Sequence, residues 1–89
     1  MSEVRRAFGL AVRIFRERQE WSQAKLAQAA GIDRSYLSKI ETGSVDPGLE
    51  IQRKLADALS VNLSELILQA EEEEKRRRRR AEQSGGKNN

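Results

Sequence analysis

The sequence predicts an all-α protein, a compact five-helix bundle with a charged C-terminal extension of the last helix. Three observations carry this. Apolar residues recur at three- and four-residue spacing in separate stretches, the period of a helix rather than a strand. Glycine, proline or a polar capping residue stands between the stretches. From Glu71 to Asn89 only Ala81 is apolar, and that segment cannot build a core.

Helix one is expected from about Glu3 to Gln19, with Val4, Phe8, Ala11 or Val12, and Phe15 as its inward stripe and Arg5, Arg6, Arg13, Arg16 and Arg18 distributed around it. Trp21 is read as a core plug at the corner that follows. Ser22 is a good N-cap for helix two, Gln23 to Ala30, whose Leu26, Ala27 and Ala30 share one face. Gly31 ends it, because glycine takes the left-handed conformation of a sharp turn. Asp33 is the expected N-cap of helix three, which turns Leu37 and Ile40 inward and Arg34, Ser35, Ser38 and Lys39 outward.

The loop Ser44-Val-Asp-Pro-Gly48 offers Asp46 or Gly48 as the next cap. Helix four is expected from Leu49 to Leu59, with Ile51 or Gln52, Leu55, Ala56 and Leu59 inward. Asn62-Leu-Ser-Glu65 has the form of a capping box, and Leu63, Leu66 and Ile67 are the inward residues of helix five. Beyond Gln69 the order of charges pairs Glu71 with Lys75, Glu72 with Arg76, Glu73 with Arg77 and Glu74 with Arg78, each four residues apart. Those pairs extend helix five to about Ala81, before Ser84-Gly-Gly frays it. The division is thus a folded unit at residues 1–69 and a charged helical extension and disordered tail at 70–89. The tail reads as solvated surface, as an arginine arm on phosphates or as a dimer-stabilising element.

At 89 residues the chain makes one small domain with a modest core. Neither cysteine nor histidine is present, which argues against a disulfide, structural zinc, thiol chemistry and the commonest general base near neutral pH. No cofactor is implied and an enzyme is not expected. Oligomerisation remains as a source of added stability, and a homodimer is expected. No apolar run approaches the roughly twenty residues that span a bilayer, and no signal peptide is evident, so the expected location is cytoplasmic, with no membrane partner. The net charge of +3 is spread thinly: residues 1–70 hold ten Lys/Arg against nine Asp/Glu, and the remainder seven against five. Binding to a polyanion must therefore rest on where the cations fall.

Two short helices, a glycine turn and a polar, partly cationic outer face on the second make a helix-turn-helix. The outer face suits double-stranded DNA in its major groove. The pieces Phe8-Gly-Leu-Ala-Val-Arg-Ile-Phe-Arg16, Ser22-Gln-Ala-Lys-Leu-Ala27, Ala30-Gly-Ile-Asp33, Tyr36-Leu-Ser-Lys-Ile-Glu-Thr-Gly43 and Leu55-Ala-Asp-Ala-Leu-Ser-Val61 resemble, in order and spacing, the Cro and phage-repressor (xenobiotic-response-element, XRE) family of regulators. The resemblance covers about Phe8 to Ile67. It implies a lambda-repressor-like DNA-binding fold that docks two recognition helices of a dimer in successive major grooves. Position by position, it implies base contacts from Arg34, Ser35, Ser38 and Lys39 and phosphate contacts from Gln23, Asp33 and Tyr36. It also implies a structural ion pair between Arg16 and Glu41.

Arg34 carries the sharpest expectation, because a guanidinium bonds guanine O6 and N7 as a fork. Three departures from the family pattern stand out: Glu20 where glycine is common, Gln52 where an apolar residue is usual, and no Lys or Arg in the loop Ser44 to Gly48. Backbone amides at the start of helix four, or Arg5, Arg6, Arg13 or the tail, are the candidates to replace the loop cations. The resulting expectation is a sequence-specific transcriptional regulator, a repressor acting on an inverted-repeat operator. The alternative is an antitoxin-type module that neutralises a protein partner and binds DNA secondarily.

Overall fold

The computed structural model describes residues 3–87, with side chains from Glu3 to Gln83. Five helices follow one another: α1 (Glu3–Arg18), α2 (Gln23–Ala30), α3 (Arg34–Thr42), α4 (Leu49–Ala58) and α5 (Leu63–Lys87). There is no strand among the described residues. α1 packs on α5 and α3, while α2 packs on α3 and α4. The core joins Ala7, Phe8, Ala11 and Val12 of α1 to Leu26, Leu37, Ile40, Leu55 and Leu66 from the other four helices. Each of the Val, Leu, Ile and Phe side chains contributes about 1.5–3 kcal/mol by leaving water.

The turns follow from local chemistry. After Arg18 the chain folds back, with the Gln19 and Glu20 amides donating to the Arg16 and Glu17 carbonyls at 3.1 and 2.9 Å. Glu20 takes φ 59°, the left-handed conformation that explains why glycine is common there in the family it resembles. Gln19 Nε2 then donates to the Leu59 carbonyl at 2.8 Å, closing the C-terminal end of α4. Trp21 is half-buried at the edge of the core, and the Lys25 ammonium stands 5.3 Å from its ring centre. Gln52, the unexpected polar residue of α4, donates to the Pro47 carbonyl at 3.0 Å and so braces the loop before the helix. The Glu65 carboxylate accepts from the Asn62 amide at 2.9 Å, one half of the capping box.

Several expectations are corrected. Val4 is 61% exposed, because the first turn of α1 forms the rim of a groove beside α5 rather than the core floor. Ile67 is likewise exposed, at 37%. Asp33 holds the expected N-cap position of α3, though without a side-chain capping bond, and of the two caps offered for α4 the structure uses Gly48. The charges of α5 pair three residues apart, Glu72 with Lys75 at 3.7 Å and Glu73 with Arg76 at 3.2 Å. Arg77 instead reaches Glu3 of α1 at 3.0 Å, a long-range pair that charge spacing within one helix cannot reveal.

The helical backbone also runs through Ser84-Gly85-Gly86 to Lys87, past the expected end near Ala81. Packing of α5 extends past Gln69: Ala70 is buried, and Glu73, 5% exposed, accepts from Gln69 at 2.9 Å. The expected disorder of the tail falls partly on Asn88 and Asn89, which lie outside the described residues.

Candidate nucleic-acid interface

The surface is built from the α2–α3 unit upward. Ser22 Oγ accepts the Lys25 amide at 3.1 Å, satisfying one of the amides left over at the start of α2. At the other end Gly31 adopts φ 71° and its amide turns back to the last carbonyls of α2. Ile32 repeats this with a 3.0 Å bond to the Ala27 carbonyl, so the turn angle is set by hydrogen bonds on both sides. The α3 helix then buries Leu37 and Ile40 completely. Burial of that stripe fixes the rotation of the helix and forces the opposite side into solvent.

On that solvent side Arg34, Ser35 and Lys39 are exposed and Ser38 is half-buried. Tyr36 is half-buried too, with its ring packed against the core. Asp33 is exposed at the start of α3 with its carboxylate uncapped. The structure therefore brings the expected base-contacting residues onto one exposed edge of α3.

Gln23 is placed differently from a free phosphate ligand. Its amide nitrogen donates to Glu41 Oε1 at 2.9 Å, across from the start of α2 to the end of α3. The same carboxylate takes a fork from Arg16, Nε to Oε2 at 2.8 Å and Nη2 to Oε1 at 3.0 Å, while Arg16 Nη1 donates to the Trp21 carbonyl at 2.7 Å. The Glu41 side chain is only 3% exposed, so its charge depends on these three donors. The hydrogen bonds that Arg16 donates to the Glu41 carboxylate raise its pKa above the ordinary value, with burial opposing them. One buried carboxylate thus locks α1, α2 and α3 in a fixed mutual arrangement behind the outward edge of α3.

Gly9 is a residue whose role the sequence pattern left unread. A Cβ there would collide with the Ile40 carbonyl oxygen and stand 2.8 Å from that of Glu41. A glycine isolated in the middle of a helical pattern is the signal that marks such a close approach. Gly43 makes the reciprocal approach at φ 79°, where a Cβ would lie 2.8 Å from Arg6 Cα.

A left-handed glycine between two short helices, with a polar edge on the second and a rigid core behind it, defines a helix-turn-helix protein. A family model described as helix-turn-helix matches residues 12–66, and the chain belongs to that family, in its Cro/XRE-like branch. It is 39% identical over 59 residues to the HTH-type transcriptional regulator SlrR of Bacillus subtilis, covering 65% of this chain and 39% of that protein. It is 36% identical over 63 residues to the competence pilus inhibition repressor of Acinetobacter baylyi, covering 71% and 57% respectively. The chain therefore spans less than two thirds of the length of these curated relatives. Among solved structures it is similar to the restriction-modification controller protein C.AhdI of Aeromonas hydrophila, at 38% identity and a TM-score of 0.67 over 68% of this chain and 92% of that one. The clp gene regulator ClgR of Corynebacterium glutamicum gives a TM-score of 0.76 at 27% identity, over 79% and 91% of the two chains. No helix among the described residues is long and apolar enough to cross a membrane.

Proposed function

We propose that this protein is a sequence-specific DNA-binding transcriptional repressor that acts as a homodimer on an inverted repeat, with α3 in the major groove. The observation that carries this reading is the outward edge of α3, where Arg34, Ser35 and Lys39 are exposed while Leu37 and Ile40 anchor the helix from behind. In this reading Arg34, Ser35, Ser38 and Lys39 touch base edges, and Tyr36 and the amides around Asp33 meet phosphates. Gln23 meets a phosphate with the amide hydrogen left over from its bond to Glu41. Residues 1–69 supply the DNA-binding unit and 70–89 its charged extension, in a protein that works in the cytoplasm.

The homodimer is supported by an apolar stretch on α5. Leu68 is 58% exposed, and with Leu63 and Ile67 it lines an open depression to which, among the described residues, only α5 contributes. A two-fold axis through this surface would present two copies of α3 to half-sites about one helical turn apart. Occupancy of the operator would then block transcription.

The test is selection of random duplexes by the purified protein, followed by titration of the enriched sequence with Arg34→Ala. The reading expects a palindromic winner and a loss of sequence preference in the variant. Absence of any enriched sequence would overturn it.

A further inference from the structure

The α3–α4 loop, Ser44 to Gly48, adjoins the outward edge of α3 yet carries Asp46 and no cation. Thr42 continues that edge at helical spacing from Ser35, Ser38 and Lys39, donating to the Lys39 carbonyl at 3.1 Å and sharing a hydrogen bond with Ser44 Oγ at 2.9 Å. Immediately beside this end of α3 lies α1, where Arg6 Cα and Cγ sit against Gly43 so closely that no side chain fits at position 43. The glycine thus admits the stem of an arginine from another helix to the place where the loop lacks charge.

The surrounding cations are otherwise occupied. Arg13 is held by Glu17 at 3.1 Å. Arg5 lines the groove that also contains Asp46, Glu71 and Glu74. Arg6 is exposed, and among the described residues its guanidinium has no hydrogen bond or ion pair. The carboxylate one turn away that would naturally claim it, Glu3, is taken instead by Arg77 of α5 at 3.0 Å.

We infer that Arg6 is a phosphate-binding residue, the cation that α1 supplies to the DNA backbone in place of those missing from the α3–α4 loop; the inference rests on the DNA-binding function proposed above. The stem of Arg6 passes the negative C-terminal end of α3 at Gly43, and a duplex phosphate would offer its guanidinium a full anionic partner that the free protein does not. Arg77 acts as a positioning residue by holding Glu3 away.

The experiment uses the full chain and its selected duplex, with affinity measured at several potassium chloride concentrations for Arg6→Gln, Arg6→Lys and Arg18→Gln. Arg18 lies at the far end of α1 over the Phe15 ring and serves as the reference for losing one charge. Loss of one phosphate contact decreases the steepness with which log affinity falls against log salt by about 0.9. Arg6→Gln is expected to show that decrease and to weaken selected and scrambled duplexes alike. Arg6→Lys keeps the charge and is expected to retain the slope. A slope for Arg6→Gln that changes no more than that of Arg18→Gln overturns the inference. So does a loss of slope in both Arg6 variants together with a lowered melting temperature, which would mark a purely structural arginine. If Arg6→Gln keeps its slope while Arg34→Ala still abolishes sequence preference, only the role of Arg6 fails; a wild-type protein that binds no duplex removes both.

Discussion

Gly9 and Ile40 meet through their backbones, leaving no room for even a methyl group between the middle of α1 and the last turn of α3. This contact sets how deeply the recognition helix is seated, because the carbonyl of Glu41, whose side chain closes the three-helix lock, lies in the same crossing. Orientation of the outward edge of α3 therefore depends on a residue that carries no functional group.

Gly9→Ala is expected to destabilise the fold by about 3 kcal/mol or more, since overpacking here meets backbone that cannot rotate away. Gly31→Ala offers the comparison. Nothing stands within 4 Å of a Cβ at Gly31, so only its φ of 71° is penalised, at about 1 kcal/mol. Denaturant midpoints of the two variants decide the matter, and equal losses would contradict the close-contact account.

Glu41→Gln is expected to cost about 3 kcal/mol by stranding the Arg16 charge, which is only 11% exposed. The double variant Arg16→Met/Glu41→Leu is expected to lose less than Arg16→Met or Glu41→Leu alone, because no buried charge remains. A double-mutant cycle from urea unfolding measures the coupling, and simple additivity would show that the pair is not energetically linked.

Glu20→Gly relieves a left-handed residue at φ 59°, and the gain is partly offset by the greater freedom of glycine in the unfolded chain. A net stabilisation of roughly half a kcal/mol is expected, visible as a melting temperature a few degrees higher. A lower melting temperature would mean that the Glu20 side chain contributes more than its backbone costs.

Leu68→Lys is expected to yield a monomer by sedimentation equilibrium with helix content and melting of the protomer unchanged, since Leu68 is exposed. Leu66→Ala, one α5 position that is fully buried, is expected instead to lose about 2–5 kcal/mol of stability. A dimer that survives Leu68→Lys would move the proposed two-fold contact elsewhere.

Lys39→Ala is expected to relax the preference at one base pair of the selected duplex by about 1–3 kcal/mol, the worth of a good side-chain contact to a base edge. Competition titrations against single-base variants read this directly. A uniform loss across all sequences would transfer Lys39 from base to phosphate recognition.

The helices and the inward stripe of α3 were legible because each has a repeating apolar period and its own stop signals. Leu37 and Ile40, Gly31 and the capping Ser22 are local statements, complete within a few residues of sequence. Relations between elements were less legible. Gln23 reads as a free polar residue at a helix start, and only the fold brings Glu41, 18 residues away, to its amide. The same holds for Arg77 and Glu3, 74 residues apart, and for the glycines at 9 and 43, whose meaning lies in what another helix presses against them. Charge spacing along α5 suggested pairs within the helix, but the three-residue neighbours and α1 competed for the same groups at comparable cost.

The seam between α1 and α5 has a kinetic consequence. It joins the opening of the chain to residues more than sixty positions later, whereas the α2–α3 and α3–α4 connections close within a few residues. A long loop must lose its freedom before such a seam is rewarded, so the seam is expected to form late in folding and to open early in unfolding. Changes at Arg77 or Ala70 should then accelerate unfolding while leaving the folding rate almost untouched. An unfolding molecule would shed the grip of α5 on Glu3 while the glycine turn between α2 and α3 was still intact.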